Sequence, residues 1–300
     1  MSLQLTNSKV QEFEKEVKQS YQQENEILVN AASAAGALVK RNLVGESTSF
    51  PRMTKAFMVD KGASQTNIAP ANVKHFRIPL LLQNKVLLEY TDIFDQAEVN
   101  YDEQAELAKL FGKALARDKD QSVIEALEAG SYSATPVGEQ GLGIDIGGTT
   151  AMSVDKLKKA AAYFNKLGVP QSDRVLALDA ESHEQLMNDD EFINGDYNAI
   201  KALNNGGMVD TYVGFKIILL PDCSDDAGVK QNGLPKTGDI RKIYAFHGAS
   251  IGIAYGDVLD DITIAWENEK ASYSCLAKLR RGSVIRDNQG VIEIENDVSL

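Results

Sequence analysis

The chain has 300 residues, of which 43% are hydrophobic, so it can bury a sizeable core, and two domains or one domain with insertions are expected. Its net charge of −12 argues against a dedicated nucleic-acid clamp, because such proteins carry basic patches that neutralise phosphates. There is no charged-then-apolar leader and no apolar run of about 18 residues, which predicts a soluble protein made in the cytosol.

The first third of the chain predicts a helix followed by a long projection. Apolar residues recur every three or four positions from 10 to 39, which is typical of an amphipathic helix. Its narrow apolar face suits either an arm lying on other surfaces or a plain bundle helix. Glycine and proline punctuate residues 45–71, which indicates an extended two-stranded projection or a functional lid. Residues 76–90 then alternate with a period of two and predict a strand that returns to a core, with Pro79 at a sheet edge or a bulge.

Residues 102–128 predict one long helix of roughly 40 Å, at about 1.5 Å per residue. Asp102 is placed to cap the first turn, and an apolar stripe follows at helical spacing. Charged residues 117–120 interrupt this stripe. We therefore expect the middle turn to leave its own core and to meet solvent or a neighbouring chain.

The second half of the chain predicts short alternating helices and strands. A glycine-rich connection spans 130–150, and Ser153 is placed to cap a helix that ends at Gly168. Residues 151–261 indicate a self-contained α/β domain, and the chain becomes β-rich again from Ile262 onward. The predicted elements of this half are strand 174–178, helix 180–187, strand 215–220, strand 243–246, a small-residue helix over 247–256, and two closing strands around a turn at 288–290.

One stretch resembles an enzyme motif. Residues 143–149 (GIDIGGT) look like the first phosphate motif of sugar kinases and actin-like ATPases, in which an aspartate equivalent to Asp145 faces the metal. In that family a hairpin partner strand and a second phosphate loop follow, whereas here Ser153 opens a helix directly. We therefore interpret the stretch as a loop that uses glycine for its turns. Asp179 reads as a helix cap, and no catalytic residue, cofactor-binding residue or metal ligand is predicted.

The order of the elements resembles the major capsid protein of tailed bacteriophages, the Hong Kong 97 capsid fold. The stretches that carry the resemblance are FPRMTKA, FRIPLLLQNKVLLEYTDIFD, AELAKLFGKALARDKDQSVIEAL, KLGVPQSDRVLALDAE, GFKIILLPD, YAFHGASIGIAYGD and GSVIRDNQGVIEIEN. The resemblance implies an α+β fold of four parts. These are an N-terminal arm helix (1–44), an extended β-hairpin loop with its returning strand (45–91), a peripheral domain with a long spine helix (92–150 and 262–300), and an axial α/β domain (151–261).

The same resemblance implies a structural protein, not an enzyme, that self-assembles as pentamers and hexamers into the icosahedral shell around a phage genome. Expected partners are a separate scaffolding protein, a portal, and packaged DNA that touches the inner face without sequence-specific binding; no cofactor and no membrane is expected. The expected location is the virion, assembled in the bacterial host cytoplasm. Two alternatives are the shell of an encapsulin-type bacterial nanocompartment and a sugar kinase or actin-like ATPase acting through GIDIGGT.

Charge is segregated along the chain in a way that indicates pairing between subunits. Residues 45–90 carry six basic and three acidic side chains, whereas residues 91–128 carry four basic and ten acidic ones. Folding of one chain does not require basic and acidic residues to be segregated, whereas contact between chains does explain it, because a basic segment of one copy can pair with an acidic segment of another. The predicted subunit-interface residues are Arg52, Lys55 and Lys61 on the projection and Glu103 and Glu106 on the long helix.

Overall fold

The structure, a computed structural model, describes residues 22–62, 70–93, 102–189, 192, 211–222, 233–257 and 261–299. The helices of this part of the chain are α1 (Leu28–Ala34), α2 (Glu103–Glu128), α3 (Val154–Leu167) and α4 (Ala180–Met187). The strands are β1 (Leu38–Leu43), β2 (Ser47–Met53), β3 (His75–Leu81), β4 (Gln83–Asp92), β5 (Tyr132–Ser133), β6 (Gly141–Ile144), β7 (Arg174–Leu178), β8 (Thr211–Tyr212), β9 (Phe215–Leu219), β10 (Lys236–Thr237), β11 (Ile240–His247), β12 (Ile251–Gly256), β13 (Asp261–Glu267), β14 (Ser272–Ile285) and β15 (Val291–Asp297).

The long helix and the sheet beneath it form one packing unit. Strand β14 lies in a five-stranded sheet in the order β1-β12-β14-β13, and β4 also pairs with β14, on the edge opposite to β13. The inward residues Cys275 and Ala277 pack against Phe111 of α2, as the alternating pattern of this strand predicts. Asp102 caps α2 by accepting a hydrogen bond from the Ala105 amide at 3.2 Å, so the predicted start of the helix is confirmed.

The larger sheet has eight strands and contains most of the core. Its order is β5-β6-β15-β11-β7-β9-β8, and β10 pairs with β11. Strand β7 pairs with antiparallel β11 and parallel β9, which explains why all five of its residues, RVLAL, are buried. Helix α3 packs against this sheet through Leu157 and Phe164, and Gly168 ends the helix in the left-handed conformation, as predicted.

The predicted projection is present as a two-stranded antiparallel hairpin of β2 and β3. The pairing runs from Ser47 opposite Leu81 to Met53 opposite His75, and Pro79 lies on β3, which pairs with β2 alone among the described strands. The alternating stretch 76–90 is divided between this hairpin and β4. Of its predicted core face only Leu80 and Leu82 are buried.

Two other predictions about local structure were wrong, and a third was right only in position. Within residues 10–39, the described part contains the short α1, and the chain then enters β1, where it pairs with β12 in parallel. Residues 247–256 form a 3-10 turn and β12, because partners on both sides give this small-residue segment a place in a sheet. Ser153 is the N-cap residue of α3, as predicted, but its side chain makes no capping hydrogen bond, and Asp189 Oδ2 accepts a hydrogen bond from the Val154 amide at 2.9 Å.

The described part of the predicted N-terminal arm belongs to the subunit's own core. Leu28 and Ala32 of α1 are fully buried beside Val123 and Leu127 of α2. Strand β15, from the segment expected in the peripheral domain, pairs with β6 and β11 in the large sheet. The large sheet thus combines strands from both predicted domains, and the domain boundaries stay a prediction. Among the described residues, no helix is long and apolar enough to cross a membrane.

Candidate assembly surfaces

Asp120, in the middle of α2, is fully buried and binds the start of α1. Its Oδ2 accepts hydrogen bonds from the Gln23 side chain at 2.6 Å and the Ile27 amide at 2.8 Å, and its Oδ1 accepts one from the Val29 amide at 2.9 Å. A helix start leaves such amides without internal partners, so Asp120 caps α1 from a distance of about 90 residues in sequence. Burial raises the pKa of Asp120, and the amide hydrogen bonds oppose this rise.

The neighbouring charges of α2 hold the same N-terminal segment. The pairs are Lys119 with Glu26 at 2.7 Å, Lys113 with Glu24 at 3.4 Å, and Arg117 with Gln22 at 2.5 Å. The expectation that the charged middle turn leaves its own core was therefore wrong. The turn contacts residues 22–29 of the same chain, a segment that local periodicity does not relate to α2.

Arg281 on β14 fixes the opposite side of α2. Its guanidinium group is almost completely buried and binds Asp118 through two nitrogens, both at 2.8 Å, and Glu125 at 2.8 and 3.3 Å. Although burial alone lowers the pKa of Arg281, the two carboxylates raise it above its ordinary value. Sequence reasoning missed this cluster, yet a signal was present. Arg281 is the next inward position after Leu279 in the alternation of β14, and two acids seven residues apart share one helix face.

The described part of the projection beyond β2 exposes an apolar segment, which we call the tip. Phe57 is 79% exposed, Met58 is fully exposed, and Val59 is 81% exposed. Lys55 and Lys61 flank these three residues and are exposed as well. Contiguous exposed apolar residues rimmed by charge are typical of a surface that contacts another protein.

The predicted interface residues of the projection have different surroundings. Arg52 is mostly buried and pairs within its own subunit, with Glu139 at 3.3 Å and Asp287 at 3.1 Å. Lys55 Nζ approaches the carbonyl oxygen of Leu167, at the end of α3, at 3.4 Å. Lys61 lies beyond the paired part of the hairpin. Arg52 and Lys55 therefore both contact their own subunit, but Lys55 and Lys61 are exposed whereas Arg52 is mostly buried.

The acidic residues of the prediction lie in the first turn of α2. Glu106 pairs with Lys109 at 2.6 Å, and Glu103 precedes it by three residues on the same helix. Further along α2, the helix and β4 border an open groove of about 190 Å³. The residues that line this groove are Lys85, Val86, Leu87, Ala114, Leu115, Asp118, Ala277 and Leu279.

The GIDIGGT stretch is a closed turn whose carboxylate is bound by its own chain. Asp145 accepts hydrogen bonds from the Thr150 hydroxyl at 2.6 Å and the Thr149 hydroxyl at 3.1 Å, and it pairs with Lys156 at 3.0 Å. Although burial opposes ionisation, the hydrogen bonds from Thr150 and Lys156 lower the pKa of Asp145 to about 2. The Gly147 amide is bound by Glu295. The geometry supports the interpretation of the stretch as a structural loop.

The other chemistry-bearing residues occupy structural positions. Asp179 caps α4 by accepting from the Ser182 amide at 3.4 Å, as predicted, and lies 3.4 Å from the buried Arg241. His183 and His247 both have a pKa lowered by burial, and His247 accepts a hydrogen bond from the Ala249 amide. In the part of the chain that the structure describes, no group of three or more acidic, histidine or cysteine side chains is arranged to hold a metal ion.

Comparisons with known proteins agree with this architecture. The family described as "Phage capsid protein" matches residues 5–298. Similar solved structures include the capsid of Ralstonia phage GP4, with a TM-score of 0.70 and 12% identity over 99% of this chain and 98% of that chain. The capsid of cyanophage P-SCSP1u has a TM-score of 0.70 and 17% identity over 96% of this chain and 92% of that chain. The structure from Mycobacterium phage Che8 has a TM-score of 0.69 and 17% identity over 96% of this chain and 97% of that chain. No curated protein matches the chain by sequence.

The family match covers nearly the whole chain, and the similar structures show the same fold from end to end. The expected α+β capsid fold of the Hong Kong 97 type is thereby confirmed. The chain therefore belongs to the phage capsid protein family, and its function is that of a major capsid protein in a phage head shell.

Proposed function

We propose that subunits of this capsid protein join when the projection of one subunit lies on the long helix of a second copy. The observation that carries the proposal is the exposed apolar tip, Phe57 to Val59, flanked by two exposed lysines in a chain of net charge −12. An apolar segment of this kind is stabilised when a neighbouring copy removes it from water, at about 25 cal/mol per Å² of apolar surface buried.

The groove between α2 and β4 is the surface that suits this tip. From Glu106 to Ala114 the helix rises by about 12 Å. An extended chain covers about 13 Å from Lys55 to Val59, and about 7 Å more to Lys61. If the tip lies parallel to α2 of the other copy with Val59 at the groove, Lys55 lies at the first turn of that helix. Lys61 then lies near the half-buried Asp118. The interface that we propose thus consists of Lys55 and Lys61 on one copy and of Glu103 and Glu106 on the other, whereas Arg52 pairs within its own subunit.

The wider role follows from the family and the charge. We propose that the copies form the pentamers and hexamers of an icosahedral shell in the host cytoplasm, with a separate scaffolding protein and a portal. We further propose that packaged DNA lies against the inner face without sequence-specific contacts, which suits an acidic chain. In this role the protein acts as a coat and catalyses no reaction, and it requires no cofactor and no membrane.

Charge reversal tests the interface. Lys55→Glu with Lys61→Glu should block the appearance of shells in electron micrographs, and reversing Glu103 and Glu106 to Lys should partly restore them. Lys159→Glu with Lys216→Glu, at two other exposed lysines, is the matched control for net charge. Since each exposed ion pair contributes about 0 to 1 kcal/mol, the pairs should act together, and the defect should shrink as salt screens the charges. Normal shells from the lysine variant at low salt would show that the interface is elsewhere.

The apolar part of the contact has its own test. Met58→Ser should reduce the yield of shells, whereas Val137→Ser, at another exposed apolar residue that lies outside the hairpin, should not. Hydrogen exchange gives a second measurement, because residues 55–62 should exchange fast in the free subunit and slowly in shells. Equal exchange in both states would contradict the proposed contact.

A further inference from the structure

The base of the projecting hairpin is anchored in the subunit by Phe50, which is fully buried. Phe50 packs with Leu80 and Leu82, and its ring lies against Gly252, where an added Cβ would come within 3.0 Å of the ring. From Met53 to the end of the described segment at 62, most residues are exposed. Phe50 therefore fixes the point at which the hairpin leaves the core, and the contact of Lys55 with the Leu167 carbonyl oxygen lies beyond it.

Arg52 is the charged residue at this base, two positions after Phe50. It lies on β2, and its guanidinium nitrogens bind Glu139 at 3.3 Å and Asp287 at 3.1 Å. The same Asp287 oxygen accepts a hydrogen bond from the Gln289 amide at 3.0 Å, which fixes its position in the turn before β15. Arg52 thus connects the hairpin to two loops of the main body.

Two further basic side chains hold the backbone on either side of Phe50. Arg286 donates to the carbonyl oxygen of Pro51 at 3.2 Å and to that of Ala249 at 3.2 Å. Lys40 donates to the carbonyl oxygen of Ser49 at 2.7 Å, and its Nζ lies 4.7 Å from the centre of the Phe50 ring. Hairpin residues 49–52 are therefore contacted by side chains from β1 and from the connection between β14 and β15.

We propose that Arg52, together with Lys40 and Arg286, forms a clamp inside one subunit that fixes the direction of the projection before assembly. Arg52 is then a positioning residue of the hairpin base. The inference rests on the proposed function, because the direction of the hairpin matters only if its tip reaches a second copy. It also changes the role that the sequence predicts for Arg52, from an ion pair between subunits to one within a subunit.

A clamp at the base matters because the exposed segment beyond it is long. The tip at Met58 lies six residues beyond Arg52, which is about 20 Å of extended chain. A rotation of about 10° at the base moves such a tip by more than 3 Å, which is comparable to the width of a side-chain contact. Loss of the clamp should therefore spread the tip positions without unfolding the core that buries Phe50.

Charge reversal within the subunit and between subunits separates the two roles of Arg52. Arg52→Glu should raise the exchange rate of the Thr54 amide, which is bound to the Lys74 carbonyl oxygen, by roughly fivefold to thirtyfold in the free subunit. The same variant should give few shells or irregular ones. Glu139→Lys, at a carboxylate that is mostly exposed, should restore both slow exchange and regular shells by reversing the pair. Lys61→Glu is the matched control, since it reverses a charge of the same hairpin and should leave the Thr54 exchange rate unchanged.

The milder Arg52→Gln provides the exchange measurement if charge reversal prevents folding. Unchanged exchange at Thr54 in both variants overturns the clamp. So does restoration of shells by Glu103→Lys with Glu106→Lys but not by Glu139→Lys, because Arg52 then acts between subunits. Failure of the interface proposal gives a different result. The Lys55→Glu, Lys61→Glu variant then assembles normally, while the Thr54 amide still exchanges faster in the free Arg52 variants than in the natural chain.

Discussion

The cluster of Arg281, Asp118 and Glu125 makes a prediction about which side of an ion pair is costly to remove. Arg281 is almost completely buried, whereas the side chains of Asp118 and Glu125 are 28% and 38% exposed. Removing the arginine leaves two carboxylates that water can reach. Removing both acids leaves a guanidinium group with no partner in a site that water reaches poorly.

The magnitudes follow from these exposures. Arg281→Met keeps most of the buried volume and loses charge-assisted hydrogen bonds, which are worth about 1.5 to 3 kcal/mol to a charged group. Because the two acids regain water, we expect the free energy of unfolding to fall by about 2 kcal/mol. Asp118→Ala with Glu125→Ala leaves a buried charge unpaired, which costs about 3 to 5 kcal/mol. The double alanine variant should therefore be the less stable one, although it removes only the more accessible side chains of the cluster.

Equilibrium urea unfolding of the unassembled subunit, followed by circular dichroism, measures both values. Asp155→Ala with Glu184→Ala, which removes two acids from other helices, controls for the change in net charge. A larger loss for Arg281→Met than for the double alanine variant would refute the reasoning, because it would mean that packing of the arginine, and not its charge, stabilises α2 on β14.

Three further predictions concern other buried polar groups. Asp120→Ala leaves the Ile27 and Val29 amides without their acceptor. The free energy of unfolding in urea should therefore fall by about 2 to 4 kcal/mol, and a protease should cleave residues 22–29 more readily. Unchanged protease resistance would contradict the cap. Burial, opposed by Lys242, raises the pKa of Glu293 above its ordinary 4.5, so the folded state binds the proton more tightly and loses stability as the pH rises from 4.5. Glu293→Gln should therefore gain thermal stability relative to the natural chain as the pH increases, and a pH-independent difference would exclude this cause. Asp145→Ala removes the ion pair with the buried Lys156 and should lower the free energy of unfolding by about 1 to 3 kcal/mol. Calorimetry should detect no binding of ATP, either to the natural chain or to this variant.

Local patterns predicted the elements whose cause lies within a few residues. The start of α2 follows from Asp102 and the apolar stripe behind it, and the end of α3 follows from Gly168. The two-stranded projection was predicted because glycine and proline interrupt any helical period between 45 and 71. For the two helix ends the deciding interactions join residues that are close in sequence, whereas the projection also needed the pairing of β2 with β3.

The small-residue segment at 247–256 shows where local patterns fail. Its composition suggested a helix, but β12 has β14 on one side and β1 on the other. Gly248, just before it, lies so close to the Ala35 carbonyl that any Cβ would clash with that backbone. Partners at positions 35–43 and 281–285 therefore decided the conformation, and neither is visible in a window around the segment.

The charged residues of the candidate surfaces show the same division. The sequence by itself determined that residues 117–120 are charged and helical, and that the projection is basic while the long helix is acidic. Only the tertiary structure decided that Asp120 caps α1, that Asp118 holds Arg281, and that Arg52 binds Glu139. The physical reason is that a charge has no fixed periodicity of its own. Its role depends on which opposite charge or amide the fold brings within about 3 Å, and that partner can lie anywhere in the chain.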